Sequence, residues 1–193
     1  TAYNNAFDAW LAVSHLRFGP TEADDRAFAL AFWPDTKGFT PKSLGNLISD
    51  EDPAVHDHAE FSHVSIAARG LYALEFMLYD PAFAERGKEA YRCALIRAIA
   101  GDIDVNADAI LDDWQNHYAE FLRVPGGESP YRTDEEAVQE LYKAMLAGLQ
   151  FTSDTRLGRP LGTFDKPRPM RAEARRSKRA LRNVEKSLEA LKE

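Results

Sequence analysis

The sequence predicts an all-α protein, a helical bundle of roughly five to seven helices. Three observations carry this. Apolar residues recur at spacings of three and four along most of the chain. The β-branched residues are few and scattered, so no run alternates as a strand does. Helical runs are punctuated by Gly and Pro stops such as "RFGP", "YDP" and "RVPGG".

The elements follow in order. Tyr3, Phe7, Trp10, Leu11 and Ser14 give the first helix, from Ala2 to Val13, one aromatic face that ends at Gly19 and Pro20. Thr21 reads as the N-cap of a short helix in "TEADDRAFALAFW", with acids in its first turn and Pro34 after it. Pro41 to Ile48 reads as another short helix, and "SDEDPAVHDHAE" as a polar loop. Helical pattern resumes from Phe61 to Tyr79, where Pro81 disfavours helical geometry at Asp80. Ala82–Ile99 and Asn106–Leu122 read as two runs broken at Gly101. Thr133 and Glu136 form a capping box for a helix reaching Phe151. "RLGRPLGTFDKPRP" reads as a long loop. The last helix carries the plainest stripe: Leu181, Val184, Leu188 and Leu191.

Composition narrows the class. A chain of 193 residues makes one large domain or two small ones, and 45% apolar with 28% charged residues is ordinary for a globular protein. No apolar stretch is long enough to span a bilayer. A single cysteine, Cys93, excludes an intrachain disulfide framework and a Cys-rich zinc site, and is expected as a small core residue. The chain starts at Thr1 inside helical pattern, with no signal peptide, and reads as processed or truncated.

The net charge of −7 is uneven: residues 156–193 carry twelve Lys/Arg against five Asp/Glu, which leaves −14 on the rest. This segment lacks interleaved aromatics and any nucleic-acid motif, so its expected role is to neutralise the body of the same molecule. It also suggests a division into a main bundle over 1–155 and a basic loop and helix over 156–193, the latter starting or packing on a second bundle.

Residues able to carry chemistry are few. Glu75 sits in "ARGLYALEFMLYD", a carboxylate in an apolar run, where an unpaired charge is costly. Tyr72 precedes it by three on the same helix face. The pair is a structural hydrogen bond or part of a metal or ligand site, since both groups are hard oxygen donors; the residues alone favour the structural role. His56, His58, Glu60 and His63 make a ligand inventory without a recognised spacing, so a solvated acidic loop is expected. His15 lies near the end of the first helix, where an imidazolium suits the dipole. His15 and His117 otherwise read as ordinary hydrogen-bonded histidines. Arg168, Arg171, Arg175 and Arg176 could hold an anion, but pinning the loop to acids of the body is the simpler expectation. There is no nucleophile elbow, P-loop, dinucleotide fingerprint or HExxH.

Three stretches together resemble the imelysin family: "AFDAWLAVSHLRFGP", "RGLYALEFMLYD" and "KPRPMRAEARRSKRALRNVEKSLEAL". The resemblance implies two related helical bundles with a site between them, and an exported bacterial protein, periplasmic or lipid-anchored in the envelope. It also implies an imelysin-type metallopeptidase or an iron-regulated protein linked to iron uptake. The family's G-x-H-x-x-E signature falls on Gly70, Tyr72 and Glu75, so a phenol stands where the signature has its His. A phenol binds as an anion only after losing a proton of pKa about 10, which weakens the peptidase reading more than an iron-binding one.

The leading expectation is therefore a non-catalytic envelope protein that binds a small ligand or a metal, iron or another divalent ion, and has no nucleic-acid partner. Its ligand site would comprise Gly70, Tyr72, Glu75, His15 and Arg17, with Glu75 and His63 as metal ligands. The alternatives are an active metallopeptidase and a structural protein that contacts other envelope proteins.

Overall fold

A computed structural model of the protein describes residues 1–192, and among these no strand forms; Thr163 and Lys166 make an isolated bridge. Six helices of ten residues or more organise the described chain: α1 (Ala2–Val13), α2 (Phe39–Asp50), α3 (Gly70–Tyr79), α4 (Glu89–Asp113), α5 (Asp134–Gln150) and α6 (Ala180–Ala190). They belong to two compact units. The first holds Thr1–Asp24, Asp108–Arg175 and the chain from Arg179 on; the second holds Asp25–Ala107 and Arg176–Lys178.

In the first unit, α1 starts where Thr1 Oγ1 accepts the amide of Asn4. It buries Tyr3, Phe7, Trp10 and Leu11, the face its spacing predicts. Full burial of such side chains contributes about 1.5–3 kcal/mol each. Helix α6 lies along α1. It turns inward not its leucines but Arg179, Asn183 and Ser187, while Leu181 and Leu188 face solvent. The reason is electrostatic. Asp8 on α1 accepts hydrogen bonds from Arg179 and from both Nε and Nη2 of Arg182. Helix α5 opens with Thr133 Oγ1 accepting the amide of Glu136, while Glu136 Oε2 accepts the amide of Arg132 rather than that of Thr133. The capping box is thus shifted by one residue. Helical structure then runs on as a wide turn over Phe151–Leu157 and a last turn over Gly158–Leu161, in part of the stretch that the sequence suggests is loop. Arg156 from the wide turn donates Nε to Glu173 Oε2 at 2.9 Å and Nη1 to Thr152 Oγ1 at 3.3 Å, all three buried.

In the second unit, Asp35 starts α2 by accepting the amides of Phe39 and Thr40. Burial pushes its carboxyl up, but these backbone donors and that of Lys37 outweigh it and hold it below its usual value. Tyr91 of α4 donates its hydroxyl to the carbonyl of Asp52, and burial pushes that phenol up to about 12.

Several local expectations change. Between Pro20 and Pro34 there is no helix capped by Thr21. Two 3₁₀ turns precede a short helix at Arg26–Leu30, and Asp24 and Asp25 take left-handed backbone, which stops a continuous helix there. The polar loop before Phe61 contains two turns, Pro53–His56 and His58–Phe61, whose first amides are accepted by Asp52 and Asp57. Gly101 does not break α4, because the helix is supported by buried Leu95, Ile99 and Asp102 on either side. Cys93 is exposed, on the face of α4 away from Tyr91 and Leu95.

Two outcomes test these pairings. Glu173 is 1% exposed, and Glu173→Ala leaves Arg156 buried without its carboxylate; urea unfolding should report a loss of about 3–5 kcal/mol, larger than for removing both charges in Arg156→Met/Glu173→Leu. Hydrogen bonds from Arg182 and Arg179 lower Asp8 to about 2 despite its partial burial. A carboxyl depressed in the folded state stabilises above its unfolded value and loses that contribution as pH falls. Unfolding free energy should drop by about 2 kcal/mol between pH 4 and pH 2, and by less in Asp8→Asn.

Candidate functional site

The site is built on α3 of the second unit. Arg69 precedes the helix in extended backbone. Its guanidinium makes a two-pronged pair with Asp102 of α4, Nε to Oδ2 at 2.9 Å and Nη2 to Oδ1 at 2.7 Å, and donates Nη1 to the carbonyl of Ser62. Asp102 is buried, so this pair fixes where α3 begins.

Gly70 follows with φ +74°, and a Cβ there would stand 2.2 Å from the carbonyl oxygen of Ala29 and 2.4 Å from that of Leu30. Only glycine permits both this backbone and that approach. The role of Gly70 is therefore architectural: it lets the chain at residues 29–30 lie directly on the start of α3.

Tyr72 is buried, and its ring stacks on Trp33 with centroids 6.1 Å apart and planes 18° from parallel. Glu75, one turn on, is 2% exposed. Its Oε1 accepts two hydrogen bonds from one residue, the backbone N–H of Ser177 at 2.8 Å and the Ser177 hydroxyl at 2.7 Å. Beside it, Arg176 donates Nε to Asp80 at the end of α3 and lays its guanidinium 3.4 Å from the ring centroid of Phe76. The segment Arg176–Lys178 is thus held by two carboxylates and an aromatic face of the same helix. Lys178 (φ +59°) and, outside the segment, Ala174 (φ +42°) adopt left-handed backbone without being glycine. The amide of Arg179 meets the carbonyl of Ala174 at 3.0 Å, closing the turn at its base.

The remaining sequence-predicted residues lie elsewhere. His63 is exposed just after the turn ending at Phe61, as are His56, His58 and Glu60. Arg17 and His15 belong to the first unit. Arg17 is paired with Glu22 through two guanidinium nitrogens. His15 is half-buried, and desolvation holds its imidazole below the usual value, favouring the neutral ring over the helix-end imidazolium. Among the described residues, one grouping of three His or carboxylate ligands closes to within 4.8 Å: Asp112, Asp113 and His117, at the surface. Glu75 and His63 are outside it. The oxygen donors of α3 around Glu75 are its carboxylate, with Oε1 already accepting two hydrogen bonds, and the phenols of Tyr72 and Tyr79, with no imidazole or thiolate among them. This set does not meet the three protein ligands of a catalytic zinc.

Sequence reasoning missed Ser177, Asp80, Arg69 and Asp102. Arg176 was visible as part of an arginine cluster, and its pairing with Asp80 agrees with a pinning role. No sequence signal marks Ser177, which lies 102 residues from Glu75.

The whole chain, residues 1–193, matches the peptidase M75 family model described as imelysin. Among solved structures it is similar to an imelysin-like protein from Psychrobacter arcticum 273-4, with 18% identity and a TM-score of 0.77 over 98% of this chain and 57% of that one. The chain therefore spans 57% of the length of that relative, and the likeness shows the fold. No curated protein matches.

The packing at the start of α3 has a direct test. Gly70→Ala should destabilise by more than about 1 kcal/mol in thermal unfolding, against a neutral or stabilising change where glycine is not required. An exposed control, Ala147→Ser on α5, should leave the midpoint nearly unchanged.

Proposed function

From the premise that this chain belongs to the imelysin family, we propose that it is a non-catalytic binding protein of the bacterial envelope, linked to iron uptake. Its ligand is taken at Tyr72 and Glu75. The observation that carries this reading is the state of Glu75: a carboxylate kept in the interior of an apolar helix, with Oε1 met by the N–H and hydroxyl of Ser177. Keeping an ion buried costs several kcal/mol, which a purely structural role could avoid with an apolar residue.

Carboxylate and phenol are hard oxygen donors and suit a ferric ion or its chelate better than zinc. In this reading iron is cargo. The ligand takes Oε1 of Glu75 from Ser177, and Trp33 fixes the plane of the Tyr72 ring. The peptidase alternative needs a metal with an open position and a general base beside it. Helix α3 offers no imidazole for either, so we derive no hydrolytic step. His15, Arg17 and His63 take no part in this reading. No helix among the described residues is long and apolar enough to cross a membrane. The envelope location follows from the family resemblance.

Titration of the chain with ferric nitrilotriacetate tests the proposal. Calorimetric heat and a visible phenolate-to-iron charge-transfer band are expected. Tyr72→Phe should abolish the band, and Glu75→Gln should weaken binding at least tenfold, both with unchanged circular dichroism. Absence of heat and band in the parent chain would overturn the iron reading. Chelator-sensitive proteolysis that Glu75→Gln removes would establish the peptidase instead.

A further inference from the structure

Helical structure does not stop at Asp113, the end of α4. It passes into a wide turn, Trp114–Tyr118, in which the amide of Ala119 reaches back five residues to the carbonyl of Trp114. Turns of this kind are rare, interrupt α-helices singly, and are frequent at functional sites. Two side chains anchor this one. Trp114 meets Phe18 edge to face with centroids 5.5 Å apart, and the hydroxyls of Tyr118 and Tyr131 share a hydrogen bond at 2.7 Å.

Around the same turn, Asp112, Asp113 and His117 each offer one donor atom, and the three atoms lie within 4.8 Å of one another. The wide turn accounts for this. In a regular α-helix a residue stands about 40° round the axis from the one four before it, and about 140° from the one five before it. His117 would then face Asp113 and miss Asp112. Closing the turn over five residues brings the fifth round as well. Asn116 donates Nδ2 to Asp112 Oδ1 at 2.6 Å and orients that carboxylate.

We propose that Asp112, Asp113 and His117 form a site for a divalent transition-metal ion, held by one oxygen from each carboxylate and one ring nitrogen. An imidazole closed over two carboxylates is a mixed nitrogen and oxygen set, which separates the trio from an ordinary acidic surface. Such a set suits zinc, iron(II) or nickel, whereas calcium and magnesium take oxygen ligands. With bonds of about 2.0–2.2 Å, donors that share one ion stand about 3–3.5 Å apart. Small rotations of these side chains, two of them exposed, close that gap. Two carboxylates at this range repel each other, and a divalent ion between them replaces that repulsion with attraction to both. The trio lies wholly in the first unit, so the inference is independent of the ligand reading at Glu75.

Calorimetric titration of the chain with zinc chloride, in a buffer that does not coordinate metal, tests this. One ion per chain is expected to bind with a micromolar dissociation constant, and calcium at the same concentration is not. His117→Ala and Asp113→Asn should each weaken zinc binding at least about tenfold, with unchanged circular dichroism. His58→Ala, in the exposed turn that ends at Phe61, should leave it unchanged. The midpoint of thermal unfolding should rise with zinc in the parent chain and not in His117→Ala. Absence of heat at submillimolar zinc would overturn the proposal. So would weak binding indifferent to His117→Ala, an adventitious ion only, and so would equal affinity for calcium, which would leave the imidazole without a part.

Discussion

Removing a carboxylate from water costs several kcal/mol unless donors are brought to it, and the layout of this chain follows from that constraint. Asp102 fixes the start of α3 through Arg69, and Asp80 fixes its end through Arg176. Glu75 holds Ser177, Glu173 holds Arg156, and Asp8 holds α6 along α1 through Arg179 and Arg182. Four of the partners come from the basic segment after Arg156. Three of them, Arg176, Arg179 and Arg182, are counter-ions for Asp80 and Asp8 of the acidic body. Hydrophobic burial supplies the bulk of the stability, but it is indifferent to which turn meets which. The ion pairs choose among arrangements that apolar packing alone would leave close in energy.

This explains the inversion of α6. The stripe Leu181, Val184, Leu188 and Leu191 is legible in the sequence as a helix with one apolar face, and the helix is there. The direction it faces is not legible, because the contest is with a residue far away. Asp8 must be answered, and answering it with Arg179 and Arg182 rotates Asn183 and Ser187 inward. Asn183 is buried completely, with neither side-chain amide atom hydrogen-bonded within the protein. Period is a local property of a sequence. Orientation is decided by long-range pairs, and here the strongest pairs are polar.

The same division separates what the sequence told from what it hid at α3. The all-α class, α1 with its aromatic face, and Glu75 as a carboxylate in an apolar run could be read from residue order, while Gly70 was marked by the family resemblance. Tyr72 could be read as a departure from the signature. Hidden were the continuity of α4 through Gly101, where packing outweighs the cost of one glycine, and the exposed side of Cys93. Hidden too was the donor to Glu75. A buried acid announces that it needs a partner but not which one, and Ser177 has neither charge nor spacing to give it away.

Ser177 also bears on how far the family's chemistry can be carried to this chain. Were Glu75 poised as a metal ligand, the neighbouring groups would be expected to leave its oxygens open and to supply nitrogen donors at short range. Instead Oε1 receives an N–H and an O–H from one residue, with geometry at the short end of ordinary hydrogen bonds. A cation competing for that oxygen must exceed two charge-assisted hydrogen bonds, each contributing about 1.5–3 kcal/mol. The same turn is clamped independently by Arg176 on Asp80 and Phe76. The replacement of imidazole by phenol at position 72 and the occupation of Glu75 by Ser177 therefore act in the same direction. Both set this stretch of α3 apart from the family's G-x-H-x-x-E signature, one by changing a donor group and the other by engaging the carboxylate within the protein.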